Sequence, residues 1–291
     1  MDIKAILMGL AFAAMWSSAF TSARIIVEFA PPLTALACRF LVSGLIGIAI
    51  AKALGQNMNL TRRQWRGVLI FGLCQNALYL GMNFVAMQTI QASLAAIIAS
   101  TMPLLVGLAG WLFMGQKLRP LGVAGLTAGF IGVTIIMWGR LTGGVDVFGL
   151  ALLILGVISL TIATLAVMGA SSGGNVLMIV GLQMLVGSAI LCGPALAFES
   201  FDIAWNWQLI VAFIYTTLVP GLLATWVWFM LVGRIGAVKA STFHFLNPFL
   251  GVAIAAVLLG EKLGADDVLG VIIIAGGILT VQMSKQPVTN R

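Results

Sequence analysis

A chain of 291 residues in which 61% are hydrophobic and only 8% charged carries roughly a third of the charge of a soluble domain, so it is built for a bilayer rather than for water. Its net charge of +7 is not gathered into a basic stripe with interleaved aromatics, which excludes nucleic acid as a partner and leaves membrane topology as the reading. The apolar runs have helical length and lack the alternating strands of about ten residues that a barrel needs, so an all-α integral membrane protein is expected, its backbone polar groups satisfied within helices.

Gly, Pro and charge punctuate the runs into ten predicted spans, at about 4–23, 33–53, 65–88, 92–115, 120–138, 147–169, 175–197, 205–231, 236–259 and 265–283. The first follows Lys4 and shows no small-residue cleavage site before Arg24, so it reads as a retained helix and not a signal peptide. Trp16, Ser17 and Ser18 stand at its mid-depth, where they either face a polar path or let helices approach closely. The second span carries Arg39, the one full charge well inside an apolar run, roughly 9 Å from the nearer end at about 1.5 Å per residue. Two roles stand open for it: a structural one, snorkelling toward Glu28, or contact with a substrate carboxylate. In the third span Asn76, Tyr79 and Asn83, with Gln75 beside them, share one α-helical face, and that face must look into protein or water because amides facing lipid are costly.

The fourth and ninth spans are interrupted by Pro103 and Pro248, which release the carbonyls of Ala99 and His244 and supply bendable points for gating. Ser100 joins the cavity candidates at the first of these breaks. Near the second lie Ser241, Thr242, His244 and Asn247, and His244 is the only histidine in the chain. The sixth span offers Ser159, Thr161 and Thr164. The eighth offers Thr216, Thr217, Thr225, Trp226 and Trp228, with Pro220-Gly221 expected to split its helix near the middle. Trp226 reads as a belt residue, and Trp228 either as packing or as cavity wall. Gly125, Gly129 and Gly132 in the fifth span, and Gly270, Gly276 and Gly277 in the tenth, form small-residue faces for tight helix contacts within or between subunits, leaving a monomer or weak homodimer. Cys38, Cys74 and Cys192 are too scattered for a metal cluster or a disulfide framework.

Pro103, Gly115, Lys117, Leu118, Val123, Gly125 and Gly132 recur 145 residues later as Pro248, Gly260, Lys262, Leu263, Val268, Gly270 and Gly277, without a gap. Apolar composition alone would not repeat that register, so the chain divides into two five-helix repeats, at 1–142 and 143–291. Gln183-Met-Leu-Val likewise mirrors Arg39-Phe-Leu-Val, although the charge is not repeated. With both termini cytoplasmic, the inner side collects Lys4, Lys52, Arg62, Arg63, Arg66, Lys117, Arg119, Arg234, Lys239, Lys285 and Arg291, against Arg24, Arg140 and Lys262 outside. The acids lean the same way, with Asp2 inside and the rest outside. An odd number of spans per repeat inverts the second half relative to the first, and inverted repeats enclose a pathway at their interface near the midplane.

Around Pro103 to Leu118 and Pro248 to Leu263 the chain resembles the drug/metabolite transporter superfamily of EamA type, whose ten-helix members end their fourth and ninth helices with Leu-Gly-Glu. Here those ends read Met114-Gly115-Gln116 and Leu259-Gly260-Glu261, so the first half departs from the pattern. Arg39-Phe40 also resembles the family, and the Gly115-Gln116-Lys117 ending is similar to the YddG-type aromatic amino-acid exporters. The resemblance implies a central cavity lined by helices 1, 3, 4, 6, 8 and 9, and export from the cytoplasm across a bacterial inner membrane.

The expected function is therefore a secondary carrier that exports small neutral metabolites, most simply apolar or aromatic amino acids, by alternating access. A broader drug or metabolite carrier of the same architecture is the alternative. No phosphate-binding Gly-x4-Gly-Lys-Ser/Thr loop is present, no acid lies at mid-depth to relay protons, and neither a cofactor nor a catalytic set is expected. The cavity candidates are Trp16, Ser17, Asn76, Tyr79, Asn83, Ser100, Thr161, Thr164, Trp228, His244 and Asn247, with Pro103, Pro220 and Pro248 as gating kinks. At most one cation among amides, hydroxyls and aromatics suits a neutral amino acid better than a phosphorylated sugar or a cationic drug.

Overall fold

The computed structural model describes residues 3–113, 115, 119–167, 173–235, 240 and 242–284. Asp2, Met114, Gln116, Lys117, Leu118, Lys239, Ser241, Lys285 and Arg291, which entered the sequence reading, lie outside the described residues. Helices run as α1 (Ile3–Phe29), α2 (Pro32–Ala53), α3 (Arg62–Ala86), α4 (Ala92–Phe113), α5 (Pro120–Thr142), α6 (Val147–Val167), α7 (Val176–Phe198), α8 (207–235), α9 (242–259) and α10 (Ala265–Ser284). Among the described residues nine helices are long and apolar enough to cross a bilayer, and Phe243–Leu259 of α9 is a shorter apolar helix. The first helix runs past its expected end because Arg24 and Glu28 pair at i,i+4, 3.4 Å apart, and so extend the helix instead of ending it.

Helix starts follow capping chemistry. Thr61 opens α3 with a capping box, accepting from the Gln64 amide at 3.3 Å while the Gln64 side chain accepts from the Thr61 amide at 2.8 Å. Two helix starts are closed by distant carboxylates. Glu199 accepts from the amides of Leu33 and Thr34, both at 2.7 Å, and Glu261 from those of Ala92 and Ser93 at 2.8 and 3.0 Å. An acid satisfying the free N–H groups at the positive end of a helix is stabilising on both counts.

Four spans depart from a plain α-helix. In α4 the helix stops at Ser100 and restarts at Met102, and in α9 a 3-10 turn over Thr242–Leu246 precedes the α-helix Asn247–Leu259, so both repeated prolines stand at breaks. In α8 the expectation of a split helix is corrected. Thr217–Leu223 winds as a π-helix through Pro220, and the chain continues without interruption. The hydroxyls of Thr216, Thr217 and Thr225 donate to the carbonyls of Ala212, Phe213 and Gly221, one turn back in the same helix, at 2.6, 2.7 and 2.9 Å. A second π-helix, Gly72–Leu80 in α3, carries no proline.

The helix pairing obeys a two-fold pseudo-symmetry. The most extensive contacts are α5 with α10 and α2 with α7; the first half of α4 packs on α9, and α1 on α8 as α6 on α3. Each of these pairings maps onto itself or onto another when the halves are exchanged. Residue detail shows the antiparallel sense. A Cβ built on Gly125 would stand 2.8 Å from the carbonyl oxygen of Gly277, and one on Gly132 would stand 2.8 Å from that of Gly270. Gly270 and Gly277 are the repeat partners of Gly125 and Gly132, so each glycine faces the twin of the other. These backbones touch, and the small-residue faces are used within the chain. On the other side, the Ser188 hydroxyl of α7 donates to the Ala37 carbonyl of α2 at 2.8 Å while Gly44 and Gly181 approach each other, again running antiparallel. The fold is thus ten helices in two inverted five-helix halves.

Candidate functional site

Between the halves lies a cavity of about 320 Å³, within the size range of small-molecule sites. Its wall comes from α1 (Phe12, Trp16, Phe20), α3 (Phe71, Gln75, Tyr79), α4 (Ala99, Ser100, Met102, Pro103), α6 (Leu160, Thr164), α7 (Val180, Gln183), α8 (Thr225, Trp228) and α9 (His244, Asn247). Ala99 and His244, four residues before the two helix-breaking prolines, are both on this wall. Among the described residues that line it there is no Asp or Glu, and His244 contributes an imidazole. One end of the cavity is an aromatic cluster. Phe12 lies 5.8 Å from Trp16, 4.8 Å from Trp228 and 5.3 Å from His244, and Trp228 meets His244 edge-on at 5.0 Å. The hollow of about 760 Å³ lined by Arg24, Glu28, Trp207 and Lys262 is larger, but it lies among the loops at one end of the bundle, away from the inter-repeat axis.

Of the residues singled out by sequence, Trp16, Tyr79, Ser100, Pro103, Thr164, Trp228, His244 and Asn247 are brought together on this wall. Ser17 faces α9 instead, its hydroxyl donating to the Asn247 carbonyl at 3.3 Å. Thr161 is buried and donates to Val157 within its own helix at 2.8 Å. Pro248 is buried at the start of the α-helical part of α9, and Pro220 borders a second, smaller void. The face expected of Asn76, Tyr79 and Asn83 forms only in part: within the π-helix Gly72–Leu80 Asn76 turns toward α7, whereas Tyr79 and Asn83 border one small void beside the cavity. Asn76 donates across to the Gln183 carbonyl of α7 at 2.8 Å, Tyr79 faces the cavity, and Asn83 donates to the Tyr79 carbonyl at 2.8 Å. Arg39 does not snorkel to Glu28. That acid pairs with Arg24, whereas Arg39 stays 6% exposed on α2 with its guanidinium 5.3 Å from the Phe40 ring centre.

Helix α7 was absent from the expected wall, yet it contributes Val180 and Gln183. The signal for Gln183 was its position as the repeat twin of Arg39. Phe12 and Phe20 carried no signal, since a Phe in an apolar run reads as lipid-facing or core.

Away from the cavity, the end of the bundle that carries the 88–92 and 260–265 connections is tied together by hydrogen bonds between helices and loops. The Arg24 guanidinium donates to the carbonyls of Met87 and Gln88, and the Thr89 hydroxyl donates to Asp146 at 2.6 Å. That hydroxyl, with the amides of Gly149 and Phe148, holds the Asp146 carboxyl below its ordinary value of 3.8. Beneath this layer Ile26, Phe84, Met87, Ile90, Leu94 and Ile97 are all buried.

The chain matches the family described as EamA-like transporter family twice, over residues 3–138 and 147–283. Among curated proteins it is 27% identical over 273 residues to the uncharacterized transporter YvbV of Bacillus subtilis strain 168, covering 94% of this chain and 89% of that one. It is also 27% identical over 278 residues to the uncharacterized inner membrane transporter YedA of Escherichia coli strain K12, covering 93% of this chain and 88% of the relative. A solved crystal structure superposes with a TM-score of 0.70 over 99% of this chain and 100% of the other, at 18% identity, a likeness of fold.

Proposed function

The chain belongs to the EamA-like transporter family and is a multi-pass membrane transporter of small molecules, and on that premise we propose that it exports neutral amino acids with apolar or aromatic side chains by alternating access. The observation that carries this reading is the composition of the cavity wall: an aromatic cluster at one end, amides and hydroxyls elsewhere, and no acid among the lining residues. A lipophilic cation would want a carboxylate there, and a sugar phosphate several cations. The side chain of an apolar amino acid has Phe12 and Trp228 to pack on, while its polar head meets Gln75, Gln183 and Asn247.

Access alternates, in this proposal, when repeats 1–142 and 143–291 exchange conformations about the breaks in α4 and α9. With both termini cytoplasmic in a bacterial inner membrane, the end closed by Arg24, Thr89 and Asp146 is the outer one, and the conformation described is closed to the outside. Export is facilitated or only weakly coupled to protons, because His244 is the single candidate for carrying one.

Counterflow in liposomes containing the purified chain tests the substrate class. Radiolabelled apolar amino acids should exchange, and sugars and lipophilic cations should not; exchange of the cations without the amino acids would replace this reading with a broad drug carrier. The same vesicles test coupling. An imposed pH gradient should change the accumulation ratio little, and a proton dependence that disappears in His244→Ala would overturn the uncoupled scheme.

A further inference from the structure

Arg39 is a buried cation without an acid. Among the described residues no carboxylate forms an ion pair with it: Glu28 pairs with Arg24, both oxygens of Glu199 accept from Leu33 and Thr34, and Glu261 accepts from Ala92 and Ser93. Arg39 Nε is buried with no hydrogen-bond partner among the described residues, and the guanidinium lies over the ring of its own neighbour Phe40. A guanidinium has five donors, and leaving it unpaired within a membrane protein is costly unless something arrives to use it.

The space for an arrival is present. Arg39 borders a void of about 50 Å³ that it shares with Asn83 and Pro220, and whose remaining wall includes Trp16, Gln75 and Tyr79. Those last three also line the 320 Å³ cavity, so the small void is an annex of the large one. That volume holds a few water molecules at about 10–15 Å³ each, enough for a carboxylate group and too little for a whole metabolite. Gly221 of α8 lies beside the guanidinium, where an added Cβ would stand 3.5 Å from Arg39 Nη2. Opposite the donors, Asn83 Oδ1 is a buried acceptor without a partner, its Nδ2 being spent on the Tyr79 carbonyl. Donors and a free acceptor bordering one small void are the complement of a zwitterion. The repeat adds a parallel: Gln183, the twin of Arg39, fronts the large cavity from α7.

We propose that Arg39 and the adjoining void form the anion pole of the substrate site, where the guanidinium binds the carboxylate of the transported molecule while its side chain occupies the larger cavity. The proposal rests on the transport reading above, and its test separates the two. Intrinsic tryptophan fluorescence of the purified wild-type chain, with Trp16 beside the void, is titrated with L-leucine, its methyl ester, sodium acetate and sodium chloride; Arg39→Gln and Arg39→Lys follow. The free amino acid should bind about a hundredfold more tightly than the ester to wild type, as expected for a desolvated charge-assisted pair. Arg39→Gln should bring the two to equal, weak affinity, and Arg39→Lys should fall between. Acetate should bind wild type saturably and lose that binding in Arg39→Gln, whether or not leucine binds, so a failure of the amino-acid reading leaves the anion pole tested by acetate alone. Saturable binding of acid and ester by wild type with equal affinity, or no binding of acetate by wild type, overturns the proposal even if neither variant folds. Chloride binding that acetate and leucine do not displace overturns it too, assigning the void to an inorganic anion.

Discussion

Trp228 is held between Phe12 and His244 at centroid distances of 4.8 and 5.0 Å, so its indole is a fixed part of the cavity wall. Trp228→Ala should therefore weaken substrate binding by about tenfold, the scale of one aromatic contact, and the half-saturating concentration in counterflow should rise more than the maximal rate falls. Asp146 makes a separate, pH-dependent prediction. Its carboxyl is held down chiefly by the Thr89 hydroxyl, so what it adds to stability is fully present above the ordinary value of 3.8 and is lost as pH falls below that through the lowered folded-state value. The difference in melting temperature between wild type and Asp146→Asn should stay constant from about pH 8 to pH 5 and shrink toward pH 3. At this scale the sequence was legible in part. Trp16, Tyr79, Ser100, Thr164, Trp228, His244 and Asn247 were picked out as polar or amphipathic side chains at mid-depth, and all seven face the cavity. Asn76 looked the same in sequence, but a π-turn rotated it onto α7, and nothing in Gly72–Leu80 announces that winding.

Helix boundaries were legible to a few residues because hydropathy, Pro and Gly act locally, and the break at Pro103 needed no more than that. The continuity of α8 did not follow from its sequence, since a proline in an apolar run reads as a break and nothing local announces the wider winding of Thr217–Leu223 that carries the chain past Pro220. Two predictions belong to elements. The α5–α10 seam has no room for a side chain at Gly125, whereas a Cβ on Gly276 meets nothing within 4 Å. Gly125→Val should cost about 1–3 kcal/mol and lower the melting temperature in detergent, while Gly276→Ala should leave it unchanged or slightly raised. Glu261 reaches from the α9–α10 connection to the start of α4, so Glu261→Ala should cost about 0.5–2 kcal/mol and loosen the Ala92–Ser93 amides, read as faster hydrogen exchange there.

For the whole molecule, inversion was legible because an odd number of spans per repeat permits no other arrangement, and the pairing of α5 with α10 and α2 with α7 realises it. If the two halves exchange conformations, a label on the cavity wall should be reachable from each side in turn. In a background with Cys38, Cys74 and Cys192 changed to Ser, Gln75→Cys should react with an impermeant maleimide from the cytoplasmic face at rest and from the opposite face only while substrate is exchanging. Labelling from both faces at once would indicate a channel. The seam between α5 and α10 has a further consequence, for ancestry. Gly125 and Gly132 each abut the other's descendant copy in the second half, so drift at any one of the four positions is checked by a backbone that inherited the same constraint. Among relatives, this contact should preserve the memory of the duplication after the residues around the substrate have diverged.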